Sequence, residues 1–123
     1  MFMKLPSEVK KLVENSIIFL GTANKEGKPN VTIVDRAQIE NNSKILIRDV
    51  EMVSCRKNLL SNPNCCLLIY NEPKDSTCKI FGSAVEYIRD GEEFEAAQAD
   101  VESRGRKLNG IFRITVDDFY KLA

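Results

Sequence analysis

Residues 16–40 read SIIFLGTANKEGKPNVTIVDRAQIE, and this stretch decides the fold class. Ser16–Asn24 is an apolar run, and Asn30–Glu40 is rich in β-branched residues and alternates through Val31, Ile33, Asp35 and Ala37. Asn24-Lys25-Glu26-Gly27 between them is a turn signal, so the pair predicts a β-hairpin. Upstream, residues 5–15 place Leu5, Val9, Leu12 and Val13 on one helical face, with Pro6 or Ser7 at the start. Downstream, Asn41-Asn42-Ser43 is a turn and Lys44–Arg48 a third strand. Met52–Asn62 carries Met52, Cys55, Leu59 and Leu60 at helical spacing and stops at Pro63. Cys65–Tyr70 is too short for a buried helix and reads as a central strand. After a polar loop over Asn71–Ser76, Thr77–Arg89 is a long strand bent or bulged at Gly82. Asp90 as N-cap, with Glu93 three residues on, opens a third helix. Ile111–Val116 is the last strand, and Asp117–Leu122 a short closing turn or helix. Six strands with helices at the corners predict a mainly β (α+β) fold, a six-stranded antiparallel barrel in one domain over residues 1–123.

Composition narrows the chemistry. The 123 residues contain 18 Lys+Arg and 18 Asp+Glu, so no basic surplus recommends a nucleic-acid partner. Histidine is absent, which removes Ser-His-Asp and Cys-His nucleophilic sites and His-ligated zinc or haem. Hard chemistry in such a chain has to come from a bound cofactor. The four cysteines, Cys55, Cys65, Cys66 and Cys78, form no CxxC pair, and no metal site is expected from them. No signal peptide or membrane-length apolar run is present, so the expected setting is cytoplasmic, with no membrane partner.

Two segments carry candidate binding chemistry. Arg48-Asp49-Val50-Glu51-Met52-Val53-Ser54-Cys55-Arg56 leaves a strand and starts a helix, the setting in which unpaired N–H groups and the helix dipole favour a phosphate. From spacing alone the commoner reading is a plain connection, with Asp49 capping the helix and the arginines solvated. Asp35-Arg36 interrupt an apolar strand and either line a ligand cleft or form an exposed ion pair.

The ordered set of Ile17–Ala23, Glu26–Val31, Lys57–Pro63, Phe81–Ala84 and Asp90–Phe94 resembles the pyridoxamine 5′-phosphate oxidase-like split barrels that bind flavin mononucleotide (FMN). The resemblance spans nearly the whole chain and is nearest in size to the small bacterial FMN-binding proteins. It implies a homodimer with FMN in a groove at the subunit interface. By the same resemblance Ile33, Val34, Asp35 and Arg36 lie beside the flavin ring, and Ile47, Arg48, Asp49, Val53, Ser54 and Cys55 hold the ribityl chain and phosphate. The family carries a basic residue where this chain has Ser54-Cys55, so Arg48 is the expected substitute cation. A thiol at that helix start is expected to have a lowered pKa, which would make Cys55 the most reactive of the four. The chain stops at Ala123 without the basic closing segment of the vitamin-B6 oxidases, so that activity is not expected. The implied function is an FMN-binding oxidoreductase or electron-transfer protein with an unknown small-molecule or protein electron partner and no nominated catalytic acid or base. The other reading is a non-enzymatic barrel with a decayed flavin site that acts as a binding module.

Overall fold

The hairpin expected from residues 16–40 forms, and the rest of the sheet is built outward from it. The computed structural model describes residues 4–34, 36–41 and 43–121. Its elements are α1 (Ser7–Glu14), β1 (Ile17–Ala23), β2 (Pro29–Val34), β3 (Ala37–Glu40), β4 (Lys44–Val50), α2 (Val53–Ser61), β5 (Asn64–Asn71), β6 (Ser76–Ile88), α3 (Glu92–Ser103) and β7 (Leu108–Lys121). The seven strands form one curled sheet in the order β2-β1-β5-β6-β7-β4-β3, with every neighbouring pair antiparallel. The fold is a split barrel with three short helices.

Seven strands replace the expected six because Asn30–Glu40 divides. β2 pairs with β1 while β3 pairs with β4, so consecutive strands stand at opposite ends of the sheet. Two further expectations are corrected. The N-cap of α3 is Gly91 rather than Asp90, and no side chain caps it; Glu92, Glu93 and Glu95 supply the favourable first-turn charge. The closing turn or helix expected over Asp117–Leu122 is strand instead, up to Lys121; Leu122 lies outside the described residues. The first half of β6 dictates this, since Cys78–Phe81 pairs with Lys121–Asp118 and gives those backbone groups partners that a helical turn would forfeit.

Strand alternation fills the barrel with Ile18, Leu20, Ile45, Ile47, Leu67, Ile69, Cys78, Ile80, Phe112, Ile114 and Val116, joined by Val9 and Val13 of α1 and Cys55 and Leu59 of α2. Burying one of the larger side chains is worth about 1.5–3 kcal/mol. A second cluster lies on the other face of β4 and β7, where Leu46, Val50, Leu108 and Ile111 are covered by Ala97 and Val101 of α3. β6 slips register between Phe81 and Gly82, as the bend signal predicted. A Cβ at Gly82 would lie 2.5 Å from the Thr115 carbonyl oxygen, so only a glycine lets β6 and β7 approach this closely.

The outward face of β2, β1, β5, β6 and β7 is unusually apolar. Cross-strand pairing aligns Ile33, Phe19, Leu68 and Tyr120 in one row through Lys79, and Val31, Gly21, Cys66 and Phe81 in the next. Val31, Ile33 and Ile17 are 68%, 63% and 56% exposed.

Candidate functional site

Successive side chains of β4 point alternately into and out of the barrel, and this alternation sorts the expected site residues. Ile47 points inward and belongs to the core. Arg48 points outward, where its Nη1 donates to Asp100 Oδ2 of α3 at 2.6 Å. Asp49 points inward again and is fully buried at the strand's end. Its carboxylate accepts the Met52 N–H at 3.2 Å, Arg56 Nε at 2.5 Å and Nη2 at 3.3 Å, and the Tyr87 hydroxyl at 2.7 Å. Asp49 therefore organises the start of α2 from within, close to the capping role that the sequence left open. Arg56 is half-buried and paired rather than free in solvent, and the hydrogen bond to Asp49 raises its pKa. Burial, followed by the bond to Asp49, pushes the Tyr87 phenol up to about 12.

Cys55 overturns its expectation. It faces the core with 1% exposure, and burial, reinforced by the negative charge of Asp49, pushes its thiol up to about 12. A helix dipole activates a thiol only where solvent or a cation can support the thiolate, and here neither dominates. Val53 and Ser54, by contrast, stand exposed on the first turn of α2, which no side chain caps. The first amides of a helix have no intrahelical partner, so this turn keeps N–H donors available.

On β2, Ile33 is exposed while Val34 is a core residue. Asp35 lies outside the described residues, and Arg36 is exposed. The nine described residues of the ten expected thus separate into three places. Val34, Ile47, Asp49 and Cys55 are internal. Ile33, Val53 and Ser54 lie on the surface, on β2 and on the first turn of α2, a helix that packs against β1 and β2. Arg36 and Arg48 line a cleft.

That cleft, of about 810 Å³, opens between α3, the end of α1 and strands β3 and β4. Leu46, Ala97 and Ile111 give it an apolar floor, Arg36 and Arg48 contribute positive charge, and Glu14, Glu92 and Glu93 contribute negative charge. Asp100 neighbours it, accepting from Arg48 and from Arg104 at 3.2 Å, and these hydrogen bonds, with the charge of Arg36, hold its carboxyl below the usual range. Close by, Arg113 binds both oxygens of Glu40 at 2.8 and 3.1 Å and also contacts Glu86 and Glu93. The sequence reading missed Glu93, Asp100 and Arg113. They belong to elements remote in sequence, and only the acidic opening of α3 signalled any of them. No helix among the described residues is long and apolar enough to cross a membrane.

The family model described as pyridoxamine 5′-phosphate oxidase matches residues 5–123. The chain belongs to this family. Within the pyridoxamine 5′-phosphate oxidase family, it is similar to an uncharacterized protein of Methanocaldococcus jannaschii, at 37% identity over 125 residues, covering 98% of this chain and 82% of that one. An FMN-binding protein from Syntrophomonas wolfei shares the fold with a TM-score of 0.84 at 10% identity, over 95% of this chain and 85% of that one. HutZ, the heme storage protein from Vibrio cholerae, does so with a TM-score of 0.68 at 18% identity, over 96% and 94% of the two chains. One fold therefore accompanies a protein named for FMN binding and one named for heme storage.

Proposed function

We propose that this oxidase-family protein binds FMN as a homodimer and acts as an oxidoreductase or electron-transfer protein. The observation that carries the reading is that β2, an exposed apolar strand, packs against α2, a helix whose start no side chain caps. Val31 and Ile33 of β2 offer an apolar flank for a ring, and the first turn of α2 offers amides that no side chain caps and the exposed Ser54 for a phosphate. The donor set thus fits a flavin nucleotide. Similarity to a protein named as FMN-binding supports the choice. Haem suits the chain less well, since it has no histidine to ligate iron.

Bound FMN would supply the redox chemistry, exchanging a hydride or single electrons. Ile33 and Val31 would keep water from one face of the ring, and a second subunit laid on the apolar sheet face would cover more of it. Ser54 and the α2 amides would orient the phosphate. The charged cleft at Arg36 and Arg48 is the proposed place for a small-molecule electron partner.

Titrating purified protein with FMN tests the reading. Quenched flavin fluorescence that saturates at one FMN per protomer is expected. An unchanged flavin spectrum at high protein concentration would overturn it and leave the binding-module reading.

A further inference from the structure

Asp49 is the only fully buried charged residue among the described residues, and four hydrogen bonds converge on its carboxylate. They come from the N-cap of α2 (Met52), from its first turn (Arg56) and from β6 (Tyr87). β7 takes part as well. A Cβ at Gly110 would lie 2.4 Å from Tyr87 Cζ, so the bare backbone there is what lets the ring lie against β7 with its hydroxyl on Asp49. Asn109 Nδ2 reaches the Asp49 carbonyl at 3.5 Å. One residue thus ties β4, α2 and β6 together through its carboxylate and reaches β7 through its carbonyl.

The segment that this carboxylate holds has little regular structure of its own. The β4–β7 ladder slips between Asp49 and Val50, and Glu51 sits at φ 59°, in the left-handed region that non-glycine residues rarely adopt. The course of the chain into α2 therefore depends on the Asp49 bonds. Amide–oxygen hydrogen bonds work over a narrow range, about 2.7–3.2 Å, so a small displacement of this turn spoils them. The bidentate pairing with Arg56 has a second effect. It neutralises a carboxylate that would otherwise repel a phosphate at the helix start.

We propose that Asp49 is a positioning residue for the phosphate end of the flavin site: through Met52, Arg56 and Tyr87 it sets where the first amides of α2 point, without itself touching the cofactor. The proposal rests on the reading of the α2 start as the phosphate end of that site. It replaces the sequence-based expectation that Asp49 lies against the cofactor.

FMN and riboflavin, which lacks the phosphate, separate positioning from general support of the fold. Both are titrated into the wild-type protein and into Asp49→Asn and Tyr87→Phe variants, with fluorescence quenching as the readout. Asp49→Asn is expected to weaken FMN by about tenfold or more and riboflavin by less than about threefold, the scale of one or two lost hydrogen bonds. Tyr87→Phe keeps the ring on Gly110 and is expected to move FMN alone by about threefold. Should Asp49→Asn fail to fold, Tyr87→Phe decides the matter. Parallel losses for both ligands overturn the proposal, as does FMN binding that tightens in Asp49→Asn. Wild-type protein that binds neither ligand overturns the flavin reading and the proposal with it.

Discussion

A thiol reacts as its thiolate, and burial among apolar groups withholds that form. Burial pushes Cys55 and Cys65 up to about 12 and also raises Cys78, which lies in the core. Cys66 is raised too, but it is half-buried on the outward sheet face near Lys79, whose charge opposes the shift. A thiol reagent at neutral pH is therefore expected to label Cys66 first and the other three only after denaturation; mass mapping that finds Cys55 modified first would contradict this. The burial of Cys55 was legible in the sequence, because Met52, Cys55 and Leu59 share one helical stripe. The dipole argument for its reactivity needed exposure, which that stripe already denied. Asp49 was harder to read, because Tyr87 and Gly110, which complete its surroundings, are remote in sequence. Gly110→Ala tests those surroundings, since the added methyl would push the Tyr87 ring off Asp49. Overpacking of this kind typically costs about 1–3 kcal/mol, measurable by urea denaturation.

Elements are held to one another by charge as well as by packing. Arg113 on β7 joins Glu40 of β3, Glu86 of β6 and Glu93 of α3, and its hydrogen bond to Glu40 holds that carboxyl below its ordinary 4.5. A depressed carboxyl contributes stability that is present above its unfolded pKa and is lost as pH falls through the folded one. The thermal midpoint should therefore fall as the medium is acidified below about 4.5, and Arg113→Met should flatten that part of the curve. An unaltered slope in the variant would exclude Arg113 as the cause. At this scale the sequence was informative where periodicity was local: α1, the β1–β2 hairpin, α2, β5 and the bend at Gly82. The split of residues 30–40 was also written there, in a change of phase. Ile33 points out and Val34 in, whereas Ala37 and Ile39 are half-buried at odd positions. A regular strand cannot carry both phases. The strand after Asp117 was not legible, because its partner, the first half of β6, lies some forty residues away.

The whole molecule leaves large apolar side chains exposed along the outer face of five strands. A second copy laid across it would bury Phe81 and Tyr120, whose rings meet edge to face at 5.9 Å, together with Leu68 and Tyr70. Sedimentation at micromolar concentration should give a species of twice 13.9 kDa, and Phe81→Asp should shift it towards the monomer while leaving the barrel folded. A wild-type monomer under those conditions would remove the dimer. The same association should shield Cys66, which lies next to Phe81 in the cross-strand row, so its labelling should slow as protein concentration rises.

The placement of β2 and β3 at opposite ends of the sheet has a topological consequence. These strands follow one another in the chain, yet none of the six ladders joins them. Severing the chain between Val34 and Ala37 would therefore leave every strand pair intact and remove only a tether. The first helix and the last strand meet elsewhere, where Lys121 Nζ stands 3.6 Å from Glu8 Oε2. A circular permutant joined near that ion pair and opened at the seam would keep the same sheet in the same order, with β3 leading and β2 closing the chain.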